Sequence, residues 1–256
     1  MAKEKKIVSV VEEDTKGSEV YGKDKHGRII QLEEKGNRKG RATTKRVFAF
    51  VLWAIGIFFE VVAILRLQNI INWLPKIDVL PFMIGCLVID CIAVIAGSML
   101  WKKANHIDPA SEKNPTKFWI HNNLGTIVSV IAFLPFIIFV LLNKDLDGKS
   151  KSIATVVGVI LLAIAGLSSY DWNPVSSEQL LRAEKEVQAV SETGKVYWAK
   201  TSKKYHVDPD CPAFSNSEEV YEGTVKQAFE KNLTDPCRRC IPELKDEDHD
   251  HSHETE

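Results

Sequence analysis

Four long apolar runs limit what this chain can fold into more than any other feature of its sequence. They cover about 47–67, 79–101, 119–142 and 152–170. An α-helix needs about 20 predominantly apolar residues to cross the hydrocarbon core of a bilayer, and in lipid only helices and closed barrels pair all their backbone groups. The sequence therefore predicts a mainly α protein with a bundle of four transmembrane helices over 47–170. A buried helical bundle in water is the alternative, and the fourth run is the shortest.

The charged residues are segregated from these runs. The chain is 45% hydrophobic and 26% charged, with a formal net charge of -1, but lysines and arginines concentrate before the first run and between the second and third. Such positively charged segments stay on the cytoplasmic side of a membrane. We therefore expect a multi-pass protein in the lipid bilayer of the cell membrane, with both termini in the cytoplasm. If the fourth run does not span, the C-terminal part lies outside instead.

Polar segments surround the four runs. Residues 1–46 are expected to form a cytoplasmic tail, 171–194 a linker helix that leaves the membrane, and 243–256 a disordered tail rich in acids and histidines. Within the first segment, the apolar residues on either side of a turn at 23–27 could instead pair as a small hairpin.

Two acidic residues fall inside the predicted membrane helices. Glu60 lies about two-thirds of the way along the first run and Asp90 near the middle of the second. Antiparallel helices would bring them to a similar depth, at a rise of about 1.5 Å per residue. Acids inside a membrane are costly and are functional candidates by default. One hypothesis is a proton or cation path, and the other is a structural hydrogen bond in which one acid stays protonated.

The polar segment after the fourth run contains a metal-binding pattern. Four residues separate His206 from Cys211, two separate Cys237 from Cys240, and 25 residues lie between the two pairs. A Cys-x-x-Cys pair places two sulfurs on one ion, and a distant pair completes the tetrahedron of a structural Zn2+ site. A module as small as 195–242 builds little core, so a metal would supply folding energy. We predict a small α+β module that binds Zn2+ through these four side chains.

A redox or disulfide role explains these cysteines less well. A thioredoxin-like dithiol needs a βαβ context, which the sequence around Cys237 does not offer. The odd number of cysteines in this segment fits one histidine and three thiolates better than it fits disulfides, and the cytoplasm is reducing. Because four protein ligands leave no open position on the metal, we expect a structural site and no enzyme activity.

The same residues carry a resemblance to a known module. The pattern K-x-Y-H-x4-C-P, followed by G-T-x3-A-x4-L-T-x-P-C-x-x-C, lies within 195–240. It resembles a small bacterial zinc-binding module at the C-termini of unrelated proteins, including secreted thermonuclease-like enzymes, and more distantly the zinc module of the bacterial alkylation-repair protein Ada. The resemblance implies a bacterial protein with a compact α+β zinc fold, whose ligands are His206, Cys211, Cys237 and Cys240. The Ada module uses four cysteines, whereas a histidine stands first here, so the methyl-acceptor chemistry of Ada does not carry over.

Two classes of function remain. In the first, which we favour, the four helices anchor the zinc module, and the module acts in interaction or sensing toward a cytoplasmic protein partner. In the second, the bundle is a small transporter or channel for ions or protons that uses Glu60 and Asp90. A homo-oligomer is compatible with either class. A nucleic-acid partner is not expected, because acidic residues surround the few basic residues near the metal ligands, which are Lys203, Lys204, Arg238 and Arg239.

Overall fold

The computed structural model describes residues 6–9, 20–23, 29–32, 35–71, 78–191, 193–214, 217 and 219–241. Among these residues, side chains are described from Arg38 onward. The predicted tail at 243–256 lies outside these residues. The chain divides into two compact units, which are treated separately. The bundle unit comprises Gly40–Asn105 and Glu112–Pro174, and the module unit comprises Met1–Lys39, His106–Ser111 and Val175–Glu256.

Among the described residues, four helices are long and apolar enough to cross a membrane. The helices up to residue 169 are α1 (Lys35–Leu67), α2 (Val79–Ile107), α3 (Pro115–Asn122), α4 (Leu124–Leu142) and α5 (Gly148–Ser169). The four that could cross a membrane are α1, α2, α4 and α5, whereas α3 is too short. The fourth apolar run lies in a helix of 22 residues. At a rise of about 1.5 Å per residue, that length is sufficient for the hydrocarbon core.

The helix boundaries differ from those of the apolar runs. Helix α1 begins at Lys35 and α2 continues to Ile107. These extensions are not solvated throughout, because Ala42, Ala104 and Ile107 are buried. The third run, predicted as one helix over 119–142, is divided at Asn123, which ends α3 and begins α4. The Asn123 side chain donates to the Trp119 carbonyl at 3.1 Å, and such side-chain bonds compete with the helix ladder.

The outer surface of the bundle unit is apolar, which suits helices surrounded by lipid. Large apolar side chains that are more than half exposed include Phe48, Phe58, Ile92, Leu142 and Leu167. Inside, Gly97 of α2 leaves room for Trp53 of α1. The Trp53 indole N–H donates to the Val94 carbonyl at 3.3 Å. Cys86 and Cys91 are buried in the same core.

The module unit contains a three-stranded sheet and a hairpin among its described residues. The hairpin pairs β2 (Val20–Lys23) with β3 (Ile29–Leu32) in antiparallel fashion, and it is the alternative that the sequence left open for residues 1–46. The sheet has the order β1 (Lys6–Ser9), β5 (Glu219–Thr224), β4 (Lys195–Trp198). The central strand β5 runs parallel to β1 and antiparallel to β4.

Helix α6 (Ser177–Val190) packs into the core of the module unit. Residues 171–194 were expected to form a linker helix. The helix is present, but its apolar stripe, which includes Leu180, Ala183 and Val187, is buried and not exposed to solvent. Ser176 caps the helix by accepting a hydrogen bond from the Gln179 N–H at 2.9 Å. One cluster of buried side chains joins this stripe to the sheet and to the next helix, and it includes Leu180, Ala183, Val187, Val196, Tyr205 and Phe229.

Helix α7 (Val225–Glu230) completes the module unit, and its end contacts two side chains from distant parts of the chain. Arg38 forms an ion pair with Glu230, with 3.4 Å between Nε and Oε1. Nδ1 of His106 lies 3.1 Å from the Phe229 carbonyl oxygen. These contacts explain why Arg38 and His106 belong to the module unit although most of their helices do not.

Candidate metal centre

The segment after β4 turns back along this strand and positions His206. The backbones of His206 and Tyr197 exchange two hydrogen bonds, with N···O distances of 2.7 and 2.8 Å. The preceding residue, Tyr205, is fully buried among the apolar side chains of the module core. Adjacent residues of an extended segment face opposite ways. His206 accordingly packs on Phe214, in a second cluster, with 4.3 Å between the ring centroids.

Backbone hydrogen bonds to Tyr205 hold the Cys-x-x-Cys segment, residues 237–240, next to His206. The Tyr205 N–H donates to the Asp235 carbonyl at 3.1 Å, and the Cys237 N–H donates to the Tyr205 carbonyl at 2.8 Å. A tight turn follows, in which the N–H groups of Cys240 and Ile241 donate to the Cys237 carbonyl at 3.0 and 3.2 Å. This turn brings the two thiols together.

A second turn delivers Cys211. The Asp208 carboxylate accepts a hydrogen bond from the Asp210 N–H at 2.8 Å, as aspartate does at the start of many turns. The Cys211 N–H then donates to the Asp208 carbonyl at 3.3 Å. The 3-10 helix Pro212–Phe214 begins directly afterwards, so that Cys211 stays close to His206.

The four predicted ligands form one cluster. One ligand atom from each of His206, Cys211, Cys237 and Cys240 lies within 4.8 Å of the others. The Cys240 sulfur is 3.6 Å from Nδ1 of His206. Cys211, Cys237 and His206 are buried, and Cys240 is partly exposed. The cluster could therefore hold a metal ion through one imidazole nitrogen and three sulfurs.

The protonation of these groups suits a cation. Burial lowers the pKa of His206, against a smaller opposing effect of the Asp208 carboxylate, so the neutral imidazole keeps a lone pair for a metal. Burial and a hydrogen bond with Cys211 raise the pKa of Cys240 to about 12. Burial also opposes ionisation of Cys237, but hydrogen bonds from the backbone N–H groups that follow it outweigh burial and lower the pKa of this thiol.

The module unit also contains a cavity of about 320 Å³. Its wall combines Arg182 and Glu186 of α6 with Lys204, Tyr205 and Arg238, of which the last two adjoin metal ligands in sequence. The Tyr205 hydroxyl is buried, and it has no hydrogen-bond partner among the described residues. The sequence alone did not reveal this cavity, because it depends on the packing of α6 against a segment distant in the chain.

The two intramembrane candidates lie in the bundle unit. Glu60 is 3% exposed and Asp90 is fully buried. The two carboxyl groups are close enough to interact electrostatically. The structure thus brings together the pair that the antiparallel helices were expected to place at a similar depth.

A set of polar side chains is buried between the helices of the bundle unit, and the sequence did not predict this burial: Asn122 and Asn123, at the start of the third run, were expected to be hydrated at the membrane interface. The buried polar side chains are Ser98, Asn105, Asn122, Asn123, Ser129 and Ser169. A lone serine or asparagine in or beside an apolar run is ordinary. The signal that could have found them is the spacing of Asp90, Ser98 and Asn105, which recur at about two-turn intervals on one face of α2.

Comparisons with protein-family models, with curated proteins and with solved structures find no match for this chain. The resemblance of 195–240 to bacterial zinc modules therefore rests on the residue pattern alone. The chemistry of the sites described above carries the functional proposals.

Proposed function

We propose that the four-ligand cluster binds Zn2+. In a tetrahedral site with Zn–S distances of about 2.3 Å and Zn–N distances of about 2.0–2.1 Å, a sulfur and a nitrogen are about 3.6 Å apart. The distance of 3.6 Å between the Cys240 sulfur and Nδ1 of His206 is the observation that supports the proposal most. Three thiolates and one imidazole also favour Zn2+ over Mg2+ or Ca2+, which prefer oxygen ligands.

The metal has a structural role in this proposal. Four protein ligands fill a tetrahedral coordination sphere, which leaves no position for a substrate or an activated water. The ion would join three segments of the module unit, which also meet through backbone hydrogen bonds and the packing of Tyr205 and Phe214. We therefore assign no catalytic activity to this centre.

The function that fits such a centre best is interaction or sensing by a module that four transmembrane helices hold at the membrane. Tyr205 and Arg238 adjoin zinc ligands and line the cavity, and α6 forms the opposite wall. Zinc binding would fix one wall of the cavity against this helix. The occupancy of the metal site would then determine the surface that a partner meets.

We propose the cytoplasmic side of the cell membrane for the module, on the strength of the lysine and arginine distribution. The partner is a cytoplasmic protein rather than a nucleic acid, because acids such as Glu186 and Asp235 interrupt the basic residues at the cavity. The proposal holds for a monomer and for a homo-oligomer alike.

The orientation can be tested by labelling single cysteine variants in intact cells with a maleimide that does not cross membranes. Asp145→Cys lies between α4 and α5 and should be labelled from outside. Glu112→Cys lies between α2 and α3 and should be labelled only after the cells are permeabilised. Both positions are exposed in the bundle unit, so the opposite pattern would place the module outside the cell.

The interaction can be tested with a photo-crosslinking amino acid at Lys203, an exposed position between β4 and His206. We expect full-length protein in cell membranes to crosslink to a cytoplasmic protein when the metal site is intact. Cys237→Ser should abolish the crosslink. Cys86→Ala, which removes a buried thiol from the bundle unit, is the matched control and should retain it. Equal crosslinking in the two variants, or none in the wild type, would contradict an interaction that depends on the metal.

A further inference from the structure

Asp90 occupies an unusual position for an acid. The residue is fully buried, and neither carboxyl oxygen has a hydrogen-bond partner among the described residues. Gly56 of α1 makes this possible, because a Cβ at that position would collide with Oδ1 of Asp90. Gly56 thus leaves space on the facing helix for a carboxyl group whose oxygens no described residue satisfies.

Glu60 lies one helical turn beyond Gly56 and interacts electrostatically with Asp90. Its Oε1 accepts a hydrogen bond from the Phe136 N–H of α4 at 3.2 Å. The Phe136 N–H can donate to a side chain because it follows Pro135, and a proline inside a helix disturbs the backbone hydrogen bonds around it. Two acids from neighbouring helices therefore share one buried region.

Two negative charges cannot both persist in this region. A buried ion costs several kcal/mol even after relaxation, and two carboxylates at one site repel each other. Among the residues that the structure describes, the titratable groups beside Asp90 on its own helix are the buried thiols of Cys86 and Cys91, which offer no positive charge. A metal cation would need several oxygen ligands, whereas the groups described around Asp90 are mostly apolar. The occupant that this chemistry favours is a proton.

A row of polar groups leads from Asp90 toward the end of α2. The Val94 carbonyl, one turn further, accepts from the indole of Trp53 at 3.3 Å and from the Ser98 hydroxyl at 2.7 Å. Ser98 faces Gly125 of α4, where an added Cβ would collide with its hydroxyl. Beside this glycine, the hydroxyls of two more buried serines lie 3.4 Å apart, namely those of Ser129 and Ser169.

The row ends at a buried group of amides. The Asn105 side chain donates to Oδ1 of Asn122 at 3.2 Å, and Asn123 Oδ1 accepts from the Asp171 N–H at 3.2 Å. The side-chain oxygen of Asn105 (Oδ1) and one carboxylate oxygen of Asp171 (Oδ2) have no hydrogen-bond partner among the described residues. Fourteen residues lie between Asp90 and Asn105, which places the two about 22 Å apart along the helix. The polar groups therefore occur at intervals between the middle of the predicted membrane span and its end.

We propose that the carboxyl pair of Asp90 and Glu60 is a buried proton-binding site, which exchanges protons with the aqueous phase along the polar row from Ser98 to Asn105. A proton taken from water binds the Asp90 carboxylate and removes its charge, and the same row returns it. This inference goes beyond the zinc module and does not depend on it. It supplies the chemistry that a proton-coupled function of the bundle would need.

The test uses full-length protein in lipid nanodiscs and dicyclohexylcarbodiimide, an apolar reagent that adds to protonated carboxyl groups in apolar surroundings. The carboxyl O–H adds across a C=N bond of the reagent, so that no leaving group is required. We expect modification of Asp90 at neutral pH, located by mass spectrometry, and its loss in Asp90→Asn. Asp147→Asn, which removes an exposed acid at the start of α5, should leave the modification unchanged. No modification of the wild type, or an equal yield in Asp90→Asn, would overturn the proposal.

A second measurement separates an exchanging site from an acid that is protonated only for structural reasons, and it does not require Asp90→Asn to fold. The infrared carboxyl band of wild-type protein with isotope-labelled aspartate should show a protonated aspartate whose proton exchanges with deuterium. Ser98→Ala should slow this exchange, because it removes a hydroxyl from the row without adding bulk. A band that does not exchange in the wild type, or an exchange rate that Ser98→Ala leaves unchanged, would overturn the role of the row.

Discussion

The backbone N–H of Cys237 donates to the Tyr205 carbonyl at 2.8 Å, and this bond ties the metal cluster to the apolar core of the module unit. Tyr205 is fully buried in the cluster that includes Val187 and Phe229, and the next residue, His206, is one of the four candidate ligands. Metal binding and core packing therefore act on the same backbone. We expect the two to be lost together.

Cys237→Ser should destabilise the module unit by about 3 kcal/mol or more, because loss of a metal is among the few changes with effects of this size. Hydrogen exchange followed by mass spectrometry on the full-length protein can measure the two units separately. Exchange at Tyr205 and Cys237 should rise about a hundredfold, since 1.4 kcal/mol corresponds to a factor of ten. Peptides from α4 and α5 should not change. Unchanged exchange around Tyr205 would show that the core holds without a metal.

The affinity for Zn2+ should fall as the pH falls. The Cys240 thiol, with a pKa of about 12, carries a proton at neutral pH that the metal must displace. His206 has a lowered pKa, so it is already neutral and releases none. Affinity should therefore drop by about tenfold per pH unit for each displaced proton. Competition with a chromophoric chelator at several pH values measures this slope, and an affinity independent of pH would exclude the thiol as a ligand.

The packing of α6 can be tested with one substitution at two neighbouring positions. Leu180 is 6% exposed, whereas Leu181 is 56% exposed. Leu180→Ala should cost about 2–4 kcal/mol because it leaves a cavity in the core, and Leu181→Ala should cost about 0.5 kcal/mol or less. Thermal unfolding of the module unit, monitored by hydrogen exchange, gives both changes in stability. Equal effects would mean that α6 is a solvated linker.

The sequence predicts the parts of this fold that depend on local patterns. Four apolar runs are sufficient to place the four helices that are long and apolar enough to cross a membrane, because lipid would leave the backbone few alternatives. The spacings of the His206–Cys211 and Cys237–Cys240 pairs indicate a metal site, because each pair is local. The helix ends are harder to predict, since the polar segment that begins α1 at Lys35 contains Gly36 and Gly40, which have low helix propensity.

Features that depend on contacts between distant segments could not be predicted. The stripe of α6 requires a partner, and nothing local identifies the sheet and α7 as that partner. The cavity beside Tyr205 has the same origin. Likewise, the position of Asp90 in the second run marks it as unusual, but only the placement of Gly56 and Glu60 beside it shows a buried carboxyl group with no hydrogen-bond partner in the described part of the chain.

The contact between α1 and α2 depends on a glycine. A Cβ on Gly97 would lie 2.6 Å from Nε1 of Trp53, whereas one on Gly85 of the same helix would meet nothing within 4 Å. Gly97→Ala should therefore destabilise the bundle unit by about 1–3 kcal/mol. Gly85→Ala should be neutral or stabilise it by up to about 1 kcal/mol. Unfolding in mixed micelles measures both variants, and a stabilising Gly97→Ala would contradict the close packing of the two helices.

The central claim is that one chain both crosses the bilayer and binds one Zn2+ through His206, Cys211, Cys237 and Cys240. The most direct measurement is the molar ratio of zinc to protein in membranes washed with alkaline carbonate, for the wild type, Cys237→Ser and Cys86→Ala. The account predicts that all three proteins stay in the washed membranes, with one zinc per chain in the wild type and in Cys86→Ala and little or none in Cys237→Ser. Release of the wild type by the wash, or equal zinc in the two cysteine variants, would contradict it.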